Sequence, residues 1–238
     1  TFALFGCVVI YAAGAATGAL DGRDALMISH VRGVAHLIPD RTALIAVALL
    51  VIGFGMKAGL APFHPWLPDA HAEAPTPVSV LLSGVMIKVA IYAMARTVSI
   101  FFPAIPTLTV FAVGLGVFTM LLGVVLALAQ DDLKRLLAYS SVSQMGYVLA
   151  GIALGTYLGV FGGLFHLLNH ALFKALLFMT AGAILYATGA RRVSQLGGLA
   201  ARMPITALCF LVGALAIAGF PPFNGFFSKL TVYLALAD

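Results

Sequence analysis

The sequence predicts an all-α integral membrane protein, a polytopic bundle of about seven transmembrane helices. Hydrophobic residues make up 62% of the chain and charged residues only 9%, whereas soluble domains carry about 25% charged residues. The apolar residues form long stretches rich in Leu, Ala, Val and Gly, which favours helices over a membrane β-barrel. The net charge of +5 is spread over separate connections or buried, so no basic stripe indicates nucleic-acid binding.

Seven apolar segments are long enough to cross a bilayer, for which roughly 20 residues suffice. They cover approximately residues 1–20, 42–67, 78–98, 107–129, 134–154, 157–187 and 204–237. The first segment lacks the charged start and the cleavage motif of a signal peptide, so we expect it to be a membrane helix. Because apolar sequence starts at once and no tail follows the last segment, we also expect an internal piece of a longer protein.

Two of these segments are too long for simple helices, and both contain prolines where a break is needed. Pro62 and Pro65 interrupt the second segment, and Pro221 and Pro222 interrupt the last. Such breaks free backbone carbonyls, which a membrane tolerates only where they are buried in protein or line a cavity. The two breaks also share four of six residues, AGLAPF and AGFPPF. Paired broken helices are typical of transporters built from inverted repeats.

Lysines occur inside the spans, whereas the arginines lie in or beside the connections. Lys57, Lys88, Lys174 and Lys229 are the four lysines within apolar segments, and no Asp or Glu occurs inside any span. A lysine at the middle of a membrane helix costs roughly 2.5–3.5 kcal/mol on insertion scales. Lysine changes its protonation state readily when it is desolvated, whereas arginine stays charged. The four lysines are therefore a candidate proton path, with counter-charges supplied from elsewhere.

His166, His170 and Lys174 follow one another at intervals of four residues, so they share one face of a helix. Three readings are open: a metal pair, a structural hydrogen-bond network, or a relay in which imidazole and ammonium exchange protons through water. No glutamate follows His166 and no third ligand is apparent, which disfavours a metal. The relay is favoured because histidine titrates near neutrality. We expect no metal site.

A rigid connection of mixed charge follows the first break. His64, Asp69, His71 and Glu73 form a candidate gate or mouth that passes protons between bulk water and Lys57. The alternative is an ordered turn that Trp66 anchors at the membrane interface. A polar stripe on the helix after residue 132 either holds water near the lysines or joins helices; it comprises Ser140, Ser141, Ser143 and Gln144.

Motifs for catalysis are lacking. The sequence contains no Gly-rich dinucleotide motif after a strand, no P-loop and no cysteine cluster for iron–sulfur. We therefore expect no cofactor in this chain and no self-contained enzyme.

Four separated motifs resemble one family closely. They are MKAGLAPFHPWLPDAH at 56–71, LSGVMIK at 82–88, FHLLNHALFKALLF at 165–178 and GFPPFNGFFSK at 219–229. They are similar to the antiporter-like membrane subunits of respiratory complex I. The same family includes Mrp-type Na⁺/H⁺ antiporter subunits and membrane subunits of energy-converting hydrogenases. The resemblance covers essentially the whole chain.

The resemblance implies a place in a fold of about fourteen helices with two inverted repeats. Residues 1–104 would be helices six to eight, in the first repeat, and residues 105–238 helices nine to twelve, in the second. Lys57 would then lie beside the break of helix seven, and Lys229 at the broken helix twelve. A glutamate on the family's helix five, which pairs with the helix-seven lysine, would precede Thr1.

The implied function is proton translocation by a membrane subunit of a redox-driven complex, of the NADH-quinone oxidoreductase or energy-converting hydrogenase type. The partners would be other membrane subunits, the lipid bilayer and H⁺ or Na⁺, in the cell inner (plasma) membrane. The ion-pumping subunit would itself carry no redox centre. One alternative is a subunit of a multisubunit Mrp-type Na⁺/H⁺ antiporter without redox chemistry. Another is a structural scaffold whose lysines pair permanently with acids of partner subunits.

Overall fold

The computed structural model describes residues 1–101 and 105–237, and within these ranges the protein is helical without β-strands. The helices are Phe2–Ala16 (α1), Ile28–Val34 (α2), Asp40–Ala58 (α3), Trp66–Glu73 (α4), Thr76–Leu81 (α5), Ile87–Val98 (α6), Pro106–Leu128 (α7), Leu133–Ala153 (α8), Tyr157–Thr188 (α9), Leu199–Arg202 (α10), Pro204–Ala218 (α11) and Asn224–Ala237 (α12). A π-helical turn at Leu82–Met86 joins α5 and α6 into one continuous helix. The expected division between repeats ends at Ala104, which lies outside the described residues.

Length and composition confirm the membrane fold. Within the described residues, five helices are long and apolar enough to cross a membrane, namely α3, the continuous α5–α6 helix, α7, α8 and α9. The shorter apolar helices α1 and α11 complete the seven expected segments. The chain is thus a polytopic helical membrane protein, as the sequence predicts.

Both predicted breaks occur, and they have the same local structure. The helix α3 ends at Gly59, where φ is +72°, and α11 ends at Gly219, where φ is +81°. Glycine adopts this left-handed conformation without the clash that a Cβ atom would cause. In each break the next residue donates a backbone hydrogen bond back into the last turn, from Leu60 to Gly55 and from Phe220 to Leu215, both at 3.0 Å.

The helix α8 lies at the centre of the bundle, against α4, α6, α7, α9 and α12. Its closest neighbour is α7, because glycines face each other where the two helices cross. A Cβ atom at Gly116 would lie 2.7 Å from the backbone nitrogen of Ala150 and 2.9 Å from the carbonyl oxygen of Gly146. Small residues at such crossings let membrane helices pack backbone to backbone.

The connections after α7 and α9 are tied together on one side of the bundle. Backbone hydrogen bonds join Val193 to Asp131 (2.7 Å) and Leu133 to Arg191 (3.1 Å). Asp132 caps α8, since its carboxylate accepts a hydrogen bond from the backbone N–H of Arg135 at 3.0 Å. An acidic residue at this position also suits the positive end of the helix dipole. Asp131 turns away and accepts hydrogen bonds from Ser194.

Candidate functional site: buried amines and imidazoles around α8 and α9

Lys88 and His170 meet between two membrane helices. The amine of Lys88 on α6 lies 2.8 Å from Nδ1 of His170 on α9, and both side chains are buried. Lys88 follows the π-helical turn, and its amine also donates to the backbone carbonyl of Ser83 within that turn. A π turn widens a helix locally and frequently marks a functional site. Lys88 therefore faces the interior of the bundle.

Lys174 lies one helical turn after His170 on α9, and it is fully buried. Its amine donates to the backbone carbonyl oxygen of Leu137 at 2.5 Å and to Oγ of Ser140 at 2.6 Å. Both acceptors belong to α8. The amine also lies 5.7 Å from the centre of the Phe178 ring. Neutral oxygens and an aromatic face thus surround this amine. Such surroundings are compatible with both the charged and the neutral form of a lysine.

His166 is the third member of this face of α9, and it is fully buried. Its Nε2 lies 2.9 Å from Oε1 of Gln144 on α8, and its Nδ1 lies 2.9 Å from Oγ of Ser228 on α12. The imidazole therefore connects three helices. The amide oxygen of Gln144 can only accept, so Nε2 donates to it and Nδ1 of the neutral imidazole is the nitrogen left to accept.

Lys229 is half-buried beside the second break. Its amine donates to the carbonyl oxygen of Ile217 at 2.7 Å, in the last turn of α11. The amine also lies 5.0 Å from the centre of the Tyr147 ring on α8. The hydroxyl of Tyr233 donates to the hydroxyl of Tyr147 at 3.0 Å, which fixes the ring beside the amine. Next to these groups is a cavity of about 600 Å³, which Lys229, Gln144 and Ser140 line together.

Lys57 is placed differently from the other three lysines. It lies in the last turn of α3, and its side chain is exposed among the described residues. It therefore has no contact with the buried set. The sequence grouped the four lysines by their positions in apolar segments, but the position within a segment does not define which face of the helix is covered.

The candidate mouth divides into a buried and an exposed part. His71 is fully buried and stacks on the Phe178 ring with a centre distance of 4.6 Å. His64 is almost fully buried as well. Asp69 and Glu73 are exposed and face arginines at 3.0 Å (Arg135) and 3.7 Å (Arg191). Phe178 contacts both His71 and Lys174, so the buried part of the mouth lies next to the buried amines.

The segment for which an ordered turn was the alternative to a gate or mouth forms the helix α4. Its proline, Pro68, falls in the first helical turn, where the missing N–H would have no helical partner in any case. Trp66 anchors the start of α4 by donating its indole N–H to the carbonyl oxygen of Met56 at 2.6 Å. On the other side of α4, Lys134 donates to the carbonyl oxygen of Ala74 at 2.8 Å.

The polar stripe of α8 serves the buried groups directly. Ser140 binds Lys174, and Gln144 binds His166. Ser141 lies 3.0 Å from Ser83 of the π turn. Ser143 instead donates to the carbonyl oxygen of Met120 on α7 at 2.9 Å, and so joins helices. Joining helices is the use of the stripe that these bonds show, and water held near the lysines stays a prediction.

Several partners of the site have no signal in the sequence. Ser83 and Ser228 lie in the recognised motifs, yet only packing shows that they bind Ser141 and His166. In the sequence, Tyr147 is simply a tyrosine within an apolar segment, and only the structure shows that its ring lies beside Lys229. In residues 1–101 and 105–237, no carboxylate lies within 4.0 Å of the four lysine amines, and no three His, Cys, Asp or Glu side chains form a metal-binding group.

Comparison with known proteins gives a consistent result. A family described as NADH:quinone oxidoreductase/Mrp antiporter, TM, matches residues 1–237. NADH-quinone oxidoreductase subunit N of Desulforudis audaxviator is 40% identical over 100% of this chain and 46% of its own length. A Na⁺/H⁺ antiporter subunit of Alkalihalophilus pseudofirmus is 44% identical over 80% of this chain and 25% of its own length.

A solved structure shares the fold along almost the whole chain. The structure of the membrane-bound sulfane sulfur reductase, an archaeal respiratory membrane complex, contains a chain that superposes with a TM-score of 0.88 and 36% identity. The match covers 99% of the present chain and 47% of that chain. The present chain thus spans less than half the length of these relatives.

Proposed function

The chain belongs to the NADH:quinone oxidoreductase/Mrp antiporter membrane family, and from this membership we propose that it forms the central part of a proton-translocating subunit in a redox-driven membrane complex. The relatives named above are subunits of multisubunit membrane complexes. The redox chemistry would belong to partner subunits, because no cofactor motif occurs in the sequence.

One observation supports this proposal above the others: titratable side chains from separate helices form direct contacts in the interior of the bundle. Lys88 contacts His170, Lys174 lies on the next turn, and His166 on the previous one. A structural hydrogen-bond network needs polar groups but not this succession of groups that gain and lose protons. Titratable groups in a membrane span are costly, so they mark proton and ion pathways.

Protons would move through this set by electrostatic exchange. A unit charge acts far more strongly on its neighbours in the low-dielectric interior than in water. A proton arriving on Lys174 therefore disfavours a proton on its neighbours Lys88 and His170, and this repulsion would promote release of a proton from that pair. His166 would pass a proton from α9 to the groups of α8 and α12, with water filling the distances between members.

An antiporter without redox chemistry is the second candidate. The similarity to the Na⁺/H⁺ antiporter subunit of Alkalihalophilus pseudofirmus, at 44% identity, favours it. The two functions share the proton path and differ only in what drives it. The transported ion, H⁺ or Na⁺, and a location in the inner (plasma) membrane are part of the proposal in both cases.

Replacing one buried amine tests the proposal. In the full-length protein, assembled in its complex and reconstituted in vesicles, Lys174→Ala is expected to abolish proton translocation while the complex still assembles. Lys57→Ala is expected to have the same effect, as the family resemblance implies. Uptake of protons, followed with a pH-sensitive dye, gives the rate.

Arg202→Ala is the control, since Arg202 is an exposed cation on α10 outside the buried set. Normal pumping by both lysine variants would refute the relay. Sodium-dependent proton exchange in the absence of any electron donor would favour the antiporter over the redox-driven pump.

A further inference from the structure

A second polar site lies at the end of the bundle opposite to α4, whose Asp69 and Glu73 pair with arginines. A cavity of about 250 Å³ opens where α6 ends and α9 begins. Two guanidinium groups, of Arg32 from α2 and Arg96 from the last turn of α6, line it together with Tyr92 and Ser99. None of these residues contacts the buried amines.

Among residues 1–101 and 105–237, each of the two guanidiniums has one side-chain hydrogen-bond partner, which leaves most of its donors without one. Arg32 Nη2 donates to Oγ of Ser99 at 3.3 Å, and Arg96 Nη1 donates to the hydroxyl of Tyr92 at 2.9 Å. The guanidinium of Arg96 also lies over the Tyr92 ring, 5.8 Å from its centre. A guanidinium carries five N–H donors. Neutral hydroxyls therefore orient both groups without neutralising their charge.

The arginines on the two sides of the bundle differ in their partners. Arg135 and Arg191 face the carboxylates of Asp69 and Glu73 on one side. In the part of the chain that the structure describes, neither Arg32 nor Arg96 has a carboxylate within 4.0 Å. Both guanidiniums are exposed side chains that line one cavity, so they present two positive charges that favour a bound anion. The positive charge of Arg32 and Arg96 thus favours an anion as the molecule that binds in the cavity.

The other wall of the cavity is apolar. Ile152 from the end of α8 and Leu164 from the first part of α9 line it. The cations lie near helix ends, where the headgroups of a bilayer lie, and the apolar wall continues along the helices toward the hydrocarbon. Cations above an apolar wall match a molecule with an anionic head and an alkyl tail, whereas inorganic phosphate would leave the apolar wall in water.

We propose that Arg32 and Arg96 bind the phosphate headgroup of an anionic phospholipid, with one acyl chain against Ile152 and Leu164. The forked geometry of arginine suits phosphate oxygens and permits two parallel hydrogen bonds from one side chain. Basic pockets between membrane helices recognise anionic headgroups by this chemistry. The bound lipid would join α2, α6 and the start of α9.

The test is lipid binding to the full-length protein in its complex, measured by native mass spectrometry in neutral detergent. Phosphatidylglycerol and phosphatidylcholine are added in separate titrations. The protein is expected to retain phosphatidylglycerol more tightly, and the double variant Arg32→Gln/Arg96→Gln to lose this preference by on the order of tenfold, as the loss of two interfacial cations predicts.

The matched control is Arg23→Gln/Arg41→Gln. It removes the same charge from two exposed arginines of the same side of the bundle, outside the cavity. An equal loss in this control would overturn the proposal, because general attraction to the basic surface would then explain the binding. Absence of any preference in the unaltered protein would overturn it too.

Two further measurements keep the result clear if the glutamine variant is unstable. Arg32→Lys/Arg96→Lys keeps both charges but removes the forked donors, and it is expected to bind phosphatidylglycerol with intermediate affinity. Inorganic phosphate is added as a competitor. Displacement of phosphatidylglycerol by inorganic phosphate at similar concentration would assign the site to a free anion and overturn the lipid; no displacement supports the lipid.

Discussion

The amine of Lys88 and the Nδ1 atom of His170 lie 2.8 Å apart, although 82 residues separate them in the chain. This contact joins the helix with the π turn to the helix that carries His166 and Lys174. Both groups change their protonation state, so the hydrogen bond between them can transfer a proton as well as stabilise the packing. In the proposed function, transfer between α6 and α9 depends on this pair.

His170→Gln is expected to lower proton translocation by about 100-fold or more, the size of effect typical for a lost proton-transfer group. Glutamine keeps a hydrogen bond to Lys88 but takes up no proton at neutral pH. The rate of dye-monitored proton uptake in vesicles checks this result. His36→Gln is the control, because His36 is exposed outside the site. Unchanged uptake by His170→Gln would remove His170 from the path.

Ser140→Ala is expected to slow translocation about tenfold, since a hydrogen bond to a charged group contributes about 1.5 kcal/mol or more. Lys174 would keep its second acceptor, the carbonyl oxygen of Leu137. Ser143→Ala makes the same chemical change one turn along α8, where the hydroxyl binds Met120. It should leave the rate almost unchanged. Equal rates for the two variants would contradict a specific role of Ser140.

Gln144→Leu is expected to destabilise the protein by about 1–3 kcal/mol, because Nε2 of the fully buried His166 would lose its partner. Thermal unfolding in detergent measures the loss. Gln130→Leu is the matched control, since among the described residues the amide of Gln130 donates to the carbonyl oxygen of Leu126, four residues earlier in the chain. A similar small effect in both variants would show that the Gln144–His166 bond contributes little.

Gly116→Ala is expected to destabilise the protein by about 1–3 kcal/mol, the usual cost of an overpacked methyl group. The new Cβ would meet backbone atoms of α8, which cannot move aside as a side chain can. Gly114→Ala adds the same methyl to the same helix, where no atom lies within 4 Å. Unfolding midpoints of the two variants provide the comparison, and equal midpoints would contradict the close crossing of α7 and α8.

Asp131 gives a pH-dependent contribution outside the membrane helices. The hydroxyl and the backbone N–H of Ser194 both donate to its carboxylate, at 2.7 and 2.9 Å, and they hold the pKa of Asp131 below its usual value. A lowered pKa means that these contacts stabilise the fold above the unfolded-chain pKa. The contribution is lost as the pH falls through the folded pKa.

Ser194→Ala should therefore unfold at a lower temperature than the unaltered protein at neutral pH, and the difference should shrink in acid. Thermal unfolding over a series of pH values measures it. The hydroxyl of Thr188 donates to the carbonyl oxygen of Ile184 and accepts from the backbone N–H of Ala190. Because these partners do not titrate, Thr188→Ala is expected to show a difference that does not vary with pH. A pH-independent difference for Ser194→Ala would exclude the carboxylate as its cause.

The spans and both breaks could be predicted from the sequence, because a bilayer demands about 20 apolar residues and prolines interrupt helices. The common face of His166, His170 and Lys174 could be predicted too, since helical periodicity is local. Partners from other helices could not. Ser228 lies 62 residues from His166, and their contact depends on how α9 and α12 pack. No residue pattern within Leu82–Met86 indicates a π turn.

Two local expectations, for the segment that forms α4 and for Lys57, also depended on packing that the sequence does not show. The segment after the first break was expected to be a connection, yet it forms α4, because its proline falls in the first helical turn. Lys57 occupies an apolar segment like the other lysines, but its side of α3 is uncovered among the described residues. Burial of a side chain depends on neighbouring helices, which composition does not specify. The roles of Lys57 and of the other site residues in proton transfer stay predictions.

The two helix breaks close their free carbonyl ends with different donors. At the first, the indole of Trp66 binds the carbonyl oxygen of Met56, and at the second the amine of Lys229 binds that of Ile217. An indole has a single donor of fixed strength, whereas an amine binds a carbonyl more firmly when it is charged. The contact at the first break is therefore independent of pH, whereas the contact at the second break is expected to be stronger when Lys229 carries a proton.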